Sequence, residues 1–460
     1  MAVLLPELLY RDDAFHGGLA VECDEHTGRI ARIASAAELQ SPAPVALPGI
    51  ALMPGFVNAH SHAFQRLIRG ATQWRPADTS LSNFWSWRES MYRAALSLSP
   101  DDIYHVSRFC FLEMLRAGIT TVGEFHYLHN AVNGRPYDDR AELARRVIDA
   151  ARSVGIRIRL LNACYVTGAV GRPLQREQLR FATPDLDAYL AATERITAAS
   201  DGDLAVTVGV APHSVRAVPR DWLAPLHDWA AARDLPVHMH VSEQPAEVDD
   251  CVAAYGLRPV ELLAEEGVLD GRLTAVHATH ITDAEVARLA TSSATVCACP
   301  STERDLGDGL LRGADLLRAG GRIALGSDSQ TLLDMLEEAR LVEYIERLRR
   351  LERVVITRAT NDALEAAPIL LRMATSAGAH SLRLPAGTLE EGALADFVGL
   401  DLAHPALAGW TTHTLAAMLV FSAPPGVVRD VWVGGRRVVA DRVHDQEEEA
   451  IRAFNVVARR

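Results

Sequence analysis

Between residues 50 and 330, short apolar runs alternate with stretches of helical periodicity. This rhythm is typical of strands that alternate with helices, and it predicts a parallel sheet. Most of the runs are rich in Val, Ile and Leu, as expected for strands covered on both faces. Eight such units in roughly 280 residues match the size of a (β/α)8 barrel. The runs are Ile50–Asn58, Thr121–Phe125, Ile156–Ala163, Ala205–Val210, Pro236–Val241, Leu273–His277, Ala294–Cys299 and Arg322–Gly326.

Residues that can bind metals or move protons follow nearly every one of these runs. The active sites of (β/α)8 barrels lie at the C-terminal ends of the strands, and random placement of the seventeen histidines would seldom give this pattern. The strand ends therefore predict a catalytic site at one mouth of the barrel. The segments are His60-Ser61-His62, Glu124-Phe125-His126, Pro212-His213, His238-Met239-His240, His277-Ala278-Thr279-His280 and Ser327-Asp328-Ser329.

His60 and His62 form the sharpest local signal in the chain. Residues i and i+2 of a strand share one face, so at a strand's end both imidazoles could bind one ion at about 2.0–2.1 Å. His238 and His240 share a face in the same way, and the alternative for either is a core histidine with satisfied hydrogen bonds. Histidine and carboxylate ligands suit Zn²⁺, although Fe²⁺ or Mn²⁺ can occupy similar sites.

The two flanks of the barrel region have a different character. Residues 1–53 and 387–460 contain short strand-like stretches and turns, for example Val431-Trp432-Val433-Gly434-Gly435. We expect the flanks to pair into one small β domain beside a barrel of residues 54–386.

Charge and cysteine content narrow the class of protein. The formal net charge of −13 argues against sequence-independent nucleic-acid binding, which needs a basic surface. No uninterrupted apolar run approaches the ~18 residues of a membrane span, and the first residues read as a strand because they lack the basic start of a signal peptide. Six scattered cysteines without a CxxC pair indicate a reducing cytoplasm.

The chain contains no lysine, so all 46 basic residues are arginines. This composition rules out a Walker A phosphate loop, a lysine Schiff base and a carbamylated-lysine bridge between two metal ions.

The segment PGFVNAHSH (residues 54–62) resembles the first-strand metal motif of the amidohydrolase superfamily, and the later strand ends match that superfamily in order. The resemblance implies a distorted (β/α)8 barrel with a flanking β-sandwich. Without a lysine to bridge two metals, the mononuclear branch fits best, and its ligands would be His60, His62, His240 and Asp328. His240 is preferred to His238 because His240-x-x-Glu243 matches the deaminase pattern HxxE.

The same resemblance implies hydrolysis of a carbon–nitrogen bond. A bound metal ion lowers the pKa of its water towards about 7. Asp328 would accept a proton from that water, His277 would help to orient it, and Glu243 would carry a proton to the leaving nitrogen, which departs as ammonia.

Loop segments extend the resemblance to the superfamily members that act on formimino groups. It implies conversion of N-formimino-L-glutamate to N-formyl-L-glutamate and ammonia, a step of histidine degradation, by a homodimer. Such a dicarboxylate suits the bidentate fork of arginine, and the resemblance supplies Arg88 and Arg216 for it, with Gln65, Tyr127 and His213 as further substrate contacts. The segments are HSHAFQR (60–66), FWSWRESMYR (84–93), EFHYLHN (124–130), HVSEQPAEVDDC (240–251), HATH (277–280) and STERDLGDG (301–309).

Two alternative functions and one structural choice remain open from the sequence. A mononuclear deaminase acting on a nucleobase or pterin would have the same metal site but would stack a planar ring and need no arginine pair. A non-enzymatic scaffold would keep the barrel, but the complete set of metal and proton-transfer residues argues against it. The segment 84–93, with its aromatic residues, could form a lid over the site or a contact with a second subunit.

Overall fold

The apolar runs become the strands of a parallel barrel in a computed structural model of the chain, which describes residues 2–39, 44–75, 82–359 and 364–460. The strands are, in chain order, β1 (Ala2–Arg11), β2 (Ala14–Gly17), β3 (Leu19–Asp24), β4 (Arg29–Ser35), β5 (Val45–Pro54), β6 (Phe56–Ser61), β7 (Ile119–His126), β8 (Arg157–Cys164), β9 (Val206–Pro212), β10 (Val237–Val241), β11 (Leu273–His277), β12 (Thr295–Ala298), β13 (Arg322–Leu325), β14 (Arg358–Ala359), β15 (Leu364–Glu365), β16 (Phe397–Asp401), β17 (Val428–Val433) and β18 (Arg436–Val439).

Helices cover the outside of the barrel, and several begin at recognisable caps. Ser99 and Asp102 form a reciprocal capping box at the start of α2, and Thr282 and Glu285 do the same for α8. The helices are α1 (Phe84–Ser97), α2 (Pro100–Arg116), α3 (Glu142–Val154), α4 (Leu186–Ala199), α5 (Arg220–Ala231), α6 (Pro245–Tyr255), α7 (Pro259–Glu265), α8 (Asp283–Thr291), α9 (Pro300–Leu306), α10 (Gly313–Arg318), α11 (Met335–Arg350), α12 (Ala367–Met373), α13 (Ser376–Ser381), α14 (Leu415–Ser422) and α15 (Glu447–Ala458).

The barrel sheet runs in sequence order from β6 to β13 with parallel pairing throughout, which confirms the predicted fold class. Strands β6 and β13 meet just beyond the end of β13, where His62 N donates to Asp328 O (3.1 Å) and Asp328 N donates to His60 O (3.0 Å). Below them, the Asn58 side chain donates to Ser327 Oγ (2.6 Å) and accepts from Ser327 N (2.9 Å). The junction that closes the barrel therefore also holds three of the predicted metal ligands.

The first apolar run does not form one strand, as predicted, but divides between two sheets at Gly55. Strand β5 before it belongs to the flanking sheet, and β6 after it begins the barrel. A Cβ atom at Gly55 would lie 2.1 Å from Thr120 Oγ1, so only glycine fits where the chain crosses. The run reads as continuous because both halves are buried.

The two flanks pair into one β domain, as predicted, in the form of a mixed eight-stranded sheet of order β18-β17-β16-β5-β1-β3-β4 with β2 beside β1. The β1–β5 pair is parallel, and the other pairs are antiparallel. Arg157 on β8 forms a buried double contact with Asp396 (2.8 and 3.0 Å), which fastens the barrel to this sheet. The divisions after residues 53 and 386 stay predictions.

The remaining expectations concern membranes and cysteines. Among the described helices, none combines the length and apolar character that a membrane crossing requires. Each of the six cysteines is a buried free thiol, and Cys297 and Cys299 pack inside the barrel with Ala59, Val276 and Ala324.

Candidate metal and proton-transfer site

Four side chains converge at the C-terminal mouth of the barrel, and they are the four predicted metal ligands. His60 and His62 come from the end of β6, His240 from β10, and Asp328 follows β13. Asp328 Oδ1 lies 3.3 Å from His60 Nε2 and 3.2 Å from His62 Nε2, and His240 Nε2 lies 3.2 Å from His60 Nε2. All four residues are buried, and one donor atom from each lies within 4.8 Å of the others.

Hydrogen bonds behind these ligands turn their donor atoms towards the centre. His62 Nδ1 donates to Phe125 O (2.9 Å), and His240 Nδ1 donates to His213 O (3.0 Å), so the lone pair of each Nε2 faces inward. Such contacts fix the tautomer of metal-binding imidazoles.

The protonation states of the set also suit a cation. Burial lowers the pKa of His60 to about 3 and holds the pKa of His240 well below its ordinary range. Burial alone would raise the pKa of Asp328, but its contacts with His60 and His62 hold that pKa well below its usual value. Neutral imidazoles and an ionised carboxylate are the forms that bind a divalent ion, so these residues fit the predicted metal.

His238, the rival candidate, lies away from this cluster. Its Nε2 atom lies 3.0 Å from Ser381 O on the helix α13 side, and its ring is fully buried. Burial lowers the pKa of His238 to about 4, which matches a neutral core histidine that is hydrogen-bonded through Nε2, while its Nδ1 atom has no partner among the described residues.

His277 lies beside the four-residue cluster and faces carboxylates on both of its ring nitrogens. Its Nε2 atom is 3.8 Å from Asp328 Oδ2 and 3.7 Å from Glu243 Oε1, and its Nδ1 atom is 3.3 Å from Glu303 Oε1. Burial alone would lower the pKa of His277, but the charges of Glu243, Glu303 and Asp328 raise it well above its ordinary value. Together with Cys299 and Asp328 it forms a second group of donor atoms that shares Asp328 with the first.

Glu243 is held by an arginine at the edge of the same cluster. Arg216 Nη2 donates to Glu243 Oε2 (3.1 Å), and Arg216 Nη1 lies 4.0 Å from Glu247 Oε2. Glu247 also accepts from the backbone N–H of Glu243 (3.1 Å). Burial alone would lower the pKa of Arg216, but the two glutamates raise it, so this guanidinium is a fixed cation between two buried acids.

A cavity opens above the cluster, and helix α1 forms one of its walls. The predicted substrate residues Arg88 and Arg216 both line it, together with His62, Glu243 and Asp328. Residues of the segment 84–93 thus line the site from within the same chain, and whether the segment also contacts a second subunit stays a prediction. Six aromatic residues complete much of the lining: Phe84, Trp87, Tyr92, Tyr127, Tyr165 and Phe181.

The two arginines differ in their surroundings. The Arg88 guanidinium lies 4.5 Å from the centre of the Trp85 ring and 5.5 Å from that of Tyr92. Among the described residues it forms no ion pair. Arg216 lies 5.4 Å from the Phe84 ring centre, and its Nη1 atom is buried without a hydrogen-bond partner in the described part of the chain. Arg88 therefore pairs with no carboxylate of the described residues, whereas Arg216 is already paired with Glu243 and keeps only its Nη1 atom without a hydrogen bond.

Gln65, Tyr127 and His213 also line the cavity. Gln65 Nε2 donates to the Tyr127 hydroxyl (2.8 Å), which leaves Gln65 Oε1 buried without a partner among the described residues. The His213 ring lies 3.0 Å from Ser214 Oγ through Nδ1, and burial holds its pKa well below the ordinary value. All three therefore lie in the cavity above the cluster, and their role as substrate contacts stays a prediction.

Sequence reasoning missed a polar network beneath the first two ligands. Ser61, between them, donates to Glu124 Oε2 (2.5 Å) and accepts from Gln330 Nε2 (2.7 Å). Glu124 Oε1 also accepts from Ala63 N (2.7 Å), and burial raises the Glu124 pKa to about 7. The position of Glu124 at a strand end was the available signal. Gln330 offered none, because only the closed barrel brings it to Ser61.

Comparisons with known proteins agree with this geometry. The chain is 41% identical over 411 residues to the formimidoylglutamate deiminase of Pseudomonas aeruginosa, covering 88% of each protein. It is 30% identical over 443 residues to a 5-methylthioadenosine/S-adenosylhomocysteine deaminase of Natronomonas pharaonis, covering 96% of this chain and 91% of that one. The crystal structure of an amidohydrolase from Brucella melitensis superposes with a TM-score of 0.90 at 33% identity, covering 100% of this chain and 99% of the other.

The family model described as the amidohydrolase family matches residues 51–438, which include the whole barrel and all four converging ligands. Since that match spans most of the chain, and a relative at 41% identity covers 88% of it, the chain belongs to the amidohydrolase family.

Proposed function

We propose that this protein hydrolyses N-formimino-L-glutamate to N-formyl-L-glutamate and ammonia. The observation that carries the proposal is the shared cavity in which Arg88 and Arg216 face the His60, His62, His240 and Asp328 cluster with Glu243 beside it. The 41% identity to a formimidoylglutamate deiminase over 88% of both chains supports this substrate. Histidine degradation is the route in which such a reaction would serve.

The cofactor in this proposal is one divalent metal ion per subunit, with Zn²⁺ favoured over Fe²⁺ or Mn²⁺. Three imidazoles and one carboxylate form a donor set that suits zinc. An ion held there would supply a water molecule of lowered pKa and polarise the carbon under attack.

Proton movements fall to three residues of the chain. Asp328 accepts the proton of the attacking water, because its carboxylate stays ionised beside the imidazoles. His277, within 3.8 Å of Asp328 and 3.7 Å of Glu243, orients the groups between those carboxylates. Glu243 takes up the other proton of the attacking water and delivers it to the formimino nitrogen, and the proton held by Asp328 follows as the carbon–nitrogen bond breaks, so the nitrogen receives both protons of the water and leaves as ammonia.

Substrate orientation follows from the two arginines. The α-carboxylate and the side-chain carboxylate of the substrate match two guanidinium groups: that of Arg88, which forms no ion pair among the described residues, and that of Arg216, whose Nη1 atom has no hydrogen-bond partner there. Gln65, Tyr127 and His213 line the same cavity as the two arginines and the cluster. Their polar atoms would contact the part of the substrate between its carboxylates and its formimino group and hold the formimino carbon near the metal.

A nucleoside deaminase is the second candidate. The aromatic lining of the cavity could stack a planar ring, and the 30% identity to a 5-methylthioadenosine/S-adenosylhomocysteine deaminase points the same way. Arg88 favours the dicarboxylate, since it pairs with no carboxylate of the described residues and a neutral ring has no group that would compensate its charge.

Assembly and location are expectations that accompany this function. A homodimer in the cytoplasm, acting on a small molecule and not on nucleic acid or a membrane, suits a metabolic deiminase with buried thiols.

The experiment that tests the function measures ammonia release from N-formimino-L-glutamate with and without a chelator. Adenosine, guanine and cytosine serve as competing substrates, and Zn²⁺ added back after chelation serves as the control. We expect turnover of the dicarboxylate alone, lost with the chelator and restored by Zn²⁺. Turnover of a ring substrate alone would replace the proposal with the second candidate. A well-folded protein that binds no metal would instead support a scaffold.

A further inference from the structure

The segment Ser301-Thr302-Glu303, at the start of α9, contacts both reactive strand ends of the site. It follows β12, the strand next to β13, and all three residues are buried. In the sequence this segment is distinguished only by a family resemblance, as part of STERDLGDG (301–309). Its contacts lead to His277 on one side and to Asp328 on the other.

Thr302 forms hydrogen bonds with the backbone of the residues before and after Asp328. Its hydroxyl donates to Ser327 O (3.1 Å) and accepts from Ser329 N (3.1 Å). Asp328 has φ of +46°, a left-handed conformation that residues other than glycine adopt at some cost. The two hydrogen bonds of Thr302 stabilise this bend on either side of the carboxylate.

Glu303 holds the imidazole ring of His277 through a hydrogen bond between the two side chains. Glu303 Oε1 accepts from His277 Nδ1 (3.3 Å) and from Cys299 N (2.9 Å), and Glu303 is 1% exposed. His277 also has a left-handed backbone, with φ of +72°. A proton on Nδ1, held by this acceptor, leaves Nε2 facing Glu243 and Asp328.

Helix α11 anchors the segment from behind. Ser301 N donates to Glu338 Oε2 (2.9 Å), and the Ser301 hydroxyl donates to the other oxygen of the same carboxylate. Glu338 is fully buried and belongs to no part of the cavity lining. The segment is therefore fixed independently of any substrate.

We infer that Glu303 is a positioning residue for His277: its carboxylate accepts the hydrogen bond of Nδ1 and thereby aims Nε2 at the space between Glu243 and Asp328. The expected effect on turnover rests on the proposed function, whereas the hydrogen bond between Glu303 and His277 does not depend on it. Removing the carboxylate that orients a metal-binding histidine lowers metal affinity or activity by about 10- to 100-fold, and we expect a loss of activity of that size for the corresponding contact to His277.

The test compares Glu303→Ala, which removes the acceptor, with Glu303→Gln, which keeps an oxygen of similar shape without the charge. We expect kcat to fall by about 10-fold in Glu303→Gln and by about 100-fold in Glu303→Ala, with KM and bound zinc unchanged in both. Glu338→Gln is the matched control: it makes the same change on a buried glutamate of the same region, retains a partner for Ser301, and should keep kcat within about twofold of the wild type.

A second readout does not depend on catalysis. In protein labelled with ¹⁵N-histidine, His277→Gln identifies the Nδ1 proton of His277, whose hydrogen bond to a carboxylate shifts its resonance downfield. We expect this signal in wild type and in Glu338→Gln, an upfield shift in Glu303→Gln, and loss in Glu303→Ala.

The outcomes separate the two hypotheses. If the wild type releases no ammonia from N-formimino-L-glutamate, the proposed function fails, while the His277 resonance still decides the positioning role. An unchanged resonance in Glu303→Ala would overturn the inference, as would a kcat equal to that of the wild type. A loss of kcat that accompanies loss of zinc, and that Glu338→Gln reproduces, would show a merely structural segment.

Discussion

Arg216 should serve two partners at once, and its replacement should therefore change two kinetic constants. In the structure, Nη2 donates to Glu243 Oε2 (3.1 Å), while Nη1 is buried without a hydrogen-bond partner among the described residues. We expect the free donor to bind a substrate carboxylate and the engaged donor to hold Glu243. Arg216→Met removes both contacts but keeps much of the apolar stem.

The size of the effect follows from the two contacts. A hydrogen bond to a charged group contributes about 1.5–3 kcal/mol, and about 1.4 kcal/mol corresponds to a tenfold change in binding. Loss of the carboxylate contact should raise KM by about 10- to 100-fold. Loss of the Glu243 contact should also lower kcat, because a misplaced proton donor transfers its proton less efficiently.

Arg88→Met is the comparison that separates these roles. Arg88 lines the same cavity but pairs with no carboxylate of the described chain, so its loss should raise KM and leave kcat nearly unchanged. Arg216→Lys keeps the positive charge but not the two-pronged guanidinium group, so its KM should lie between that of the wild type and that of Arg216→Met. The assay is ammonia release over a range of N-formimino-L-glutamate concentrations. An unchanged KM in Arg216→Met would refute the reasoning and make this arginine purely structural.

Three further predictions test the metal site, the chain crossing and the buried acids. Asp328→Asn should abolish turnover and reduce bound zinc, measured by atomic absorption; near-normal activity would remove Asp328 from the mechanism. Gly55→Ala should prevent soluble expression or lower Tm strongly, since its Cβ would lie 2.1 Å from Thr120 Oγ1, whereas Gly17→Ala, with no atom closer than 3.8 Å, should not. Burial raises the pKa of Glu338 from 4.5 to about 8, so the folded chain binds this proton more tightly than the unfolded chain does. The proton's contribution to the free energy of unfolding is therefore complete below pH 4.5 and is lost as the pH rises through 8. Urea midpoints of wild type should fall across this window more steeply than those of Glu338→Gln, and parallel curves would contradict the assignment.

The barrel could be predicted because its strands carry a local signal. Seven of the eight apolar runs end within two residues of the observed strands, as Leu273–His277 does in β11. Hydrophobic runs of strand length are visible without any knowledge of the partners. The prediction of one strand for the first run was wrong because the residues on both sides of Gly55 are equally buried. Only the two sheets, which are assembled from distant segments, show that the chain changes partner there.

The metal donors were predictable for a different reason. His60 and His62 share a strand face, and the mouth of a parallel barrel gathers every strand end. The supporting residues have no such rule. Glu303 reaches His277 from the following strand–helix junction, and Glu338 reaches Ser301 from a helix 37 residues away. Their partners are set by packing between elements, which residue spacing does not encode.

The backbone conformation at the barrel mouth is a further reason why the sequence predicts the metal ligands but not the geometry around them. Ser242, His277, Asp328 and Gln330 all adopt left-handed φ angles, between +46° and +72°. Each such residue costs on the order of 1–3 kcal/mol and persists only where surrounding contacts fix it. Sequence indicates left-handed positions through glycine or asparagine, and none of these four is either. Two of these bends lie at His277 and Asp328, whose side chains meet in the mouth, and the hydrogen bonds of Glu303 and Thr302 stabilise them there. The reactive geometry is therefore a property of the assembled loops, whereas the choice of reactive residues is a property of the sequence.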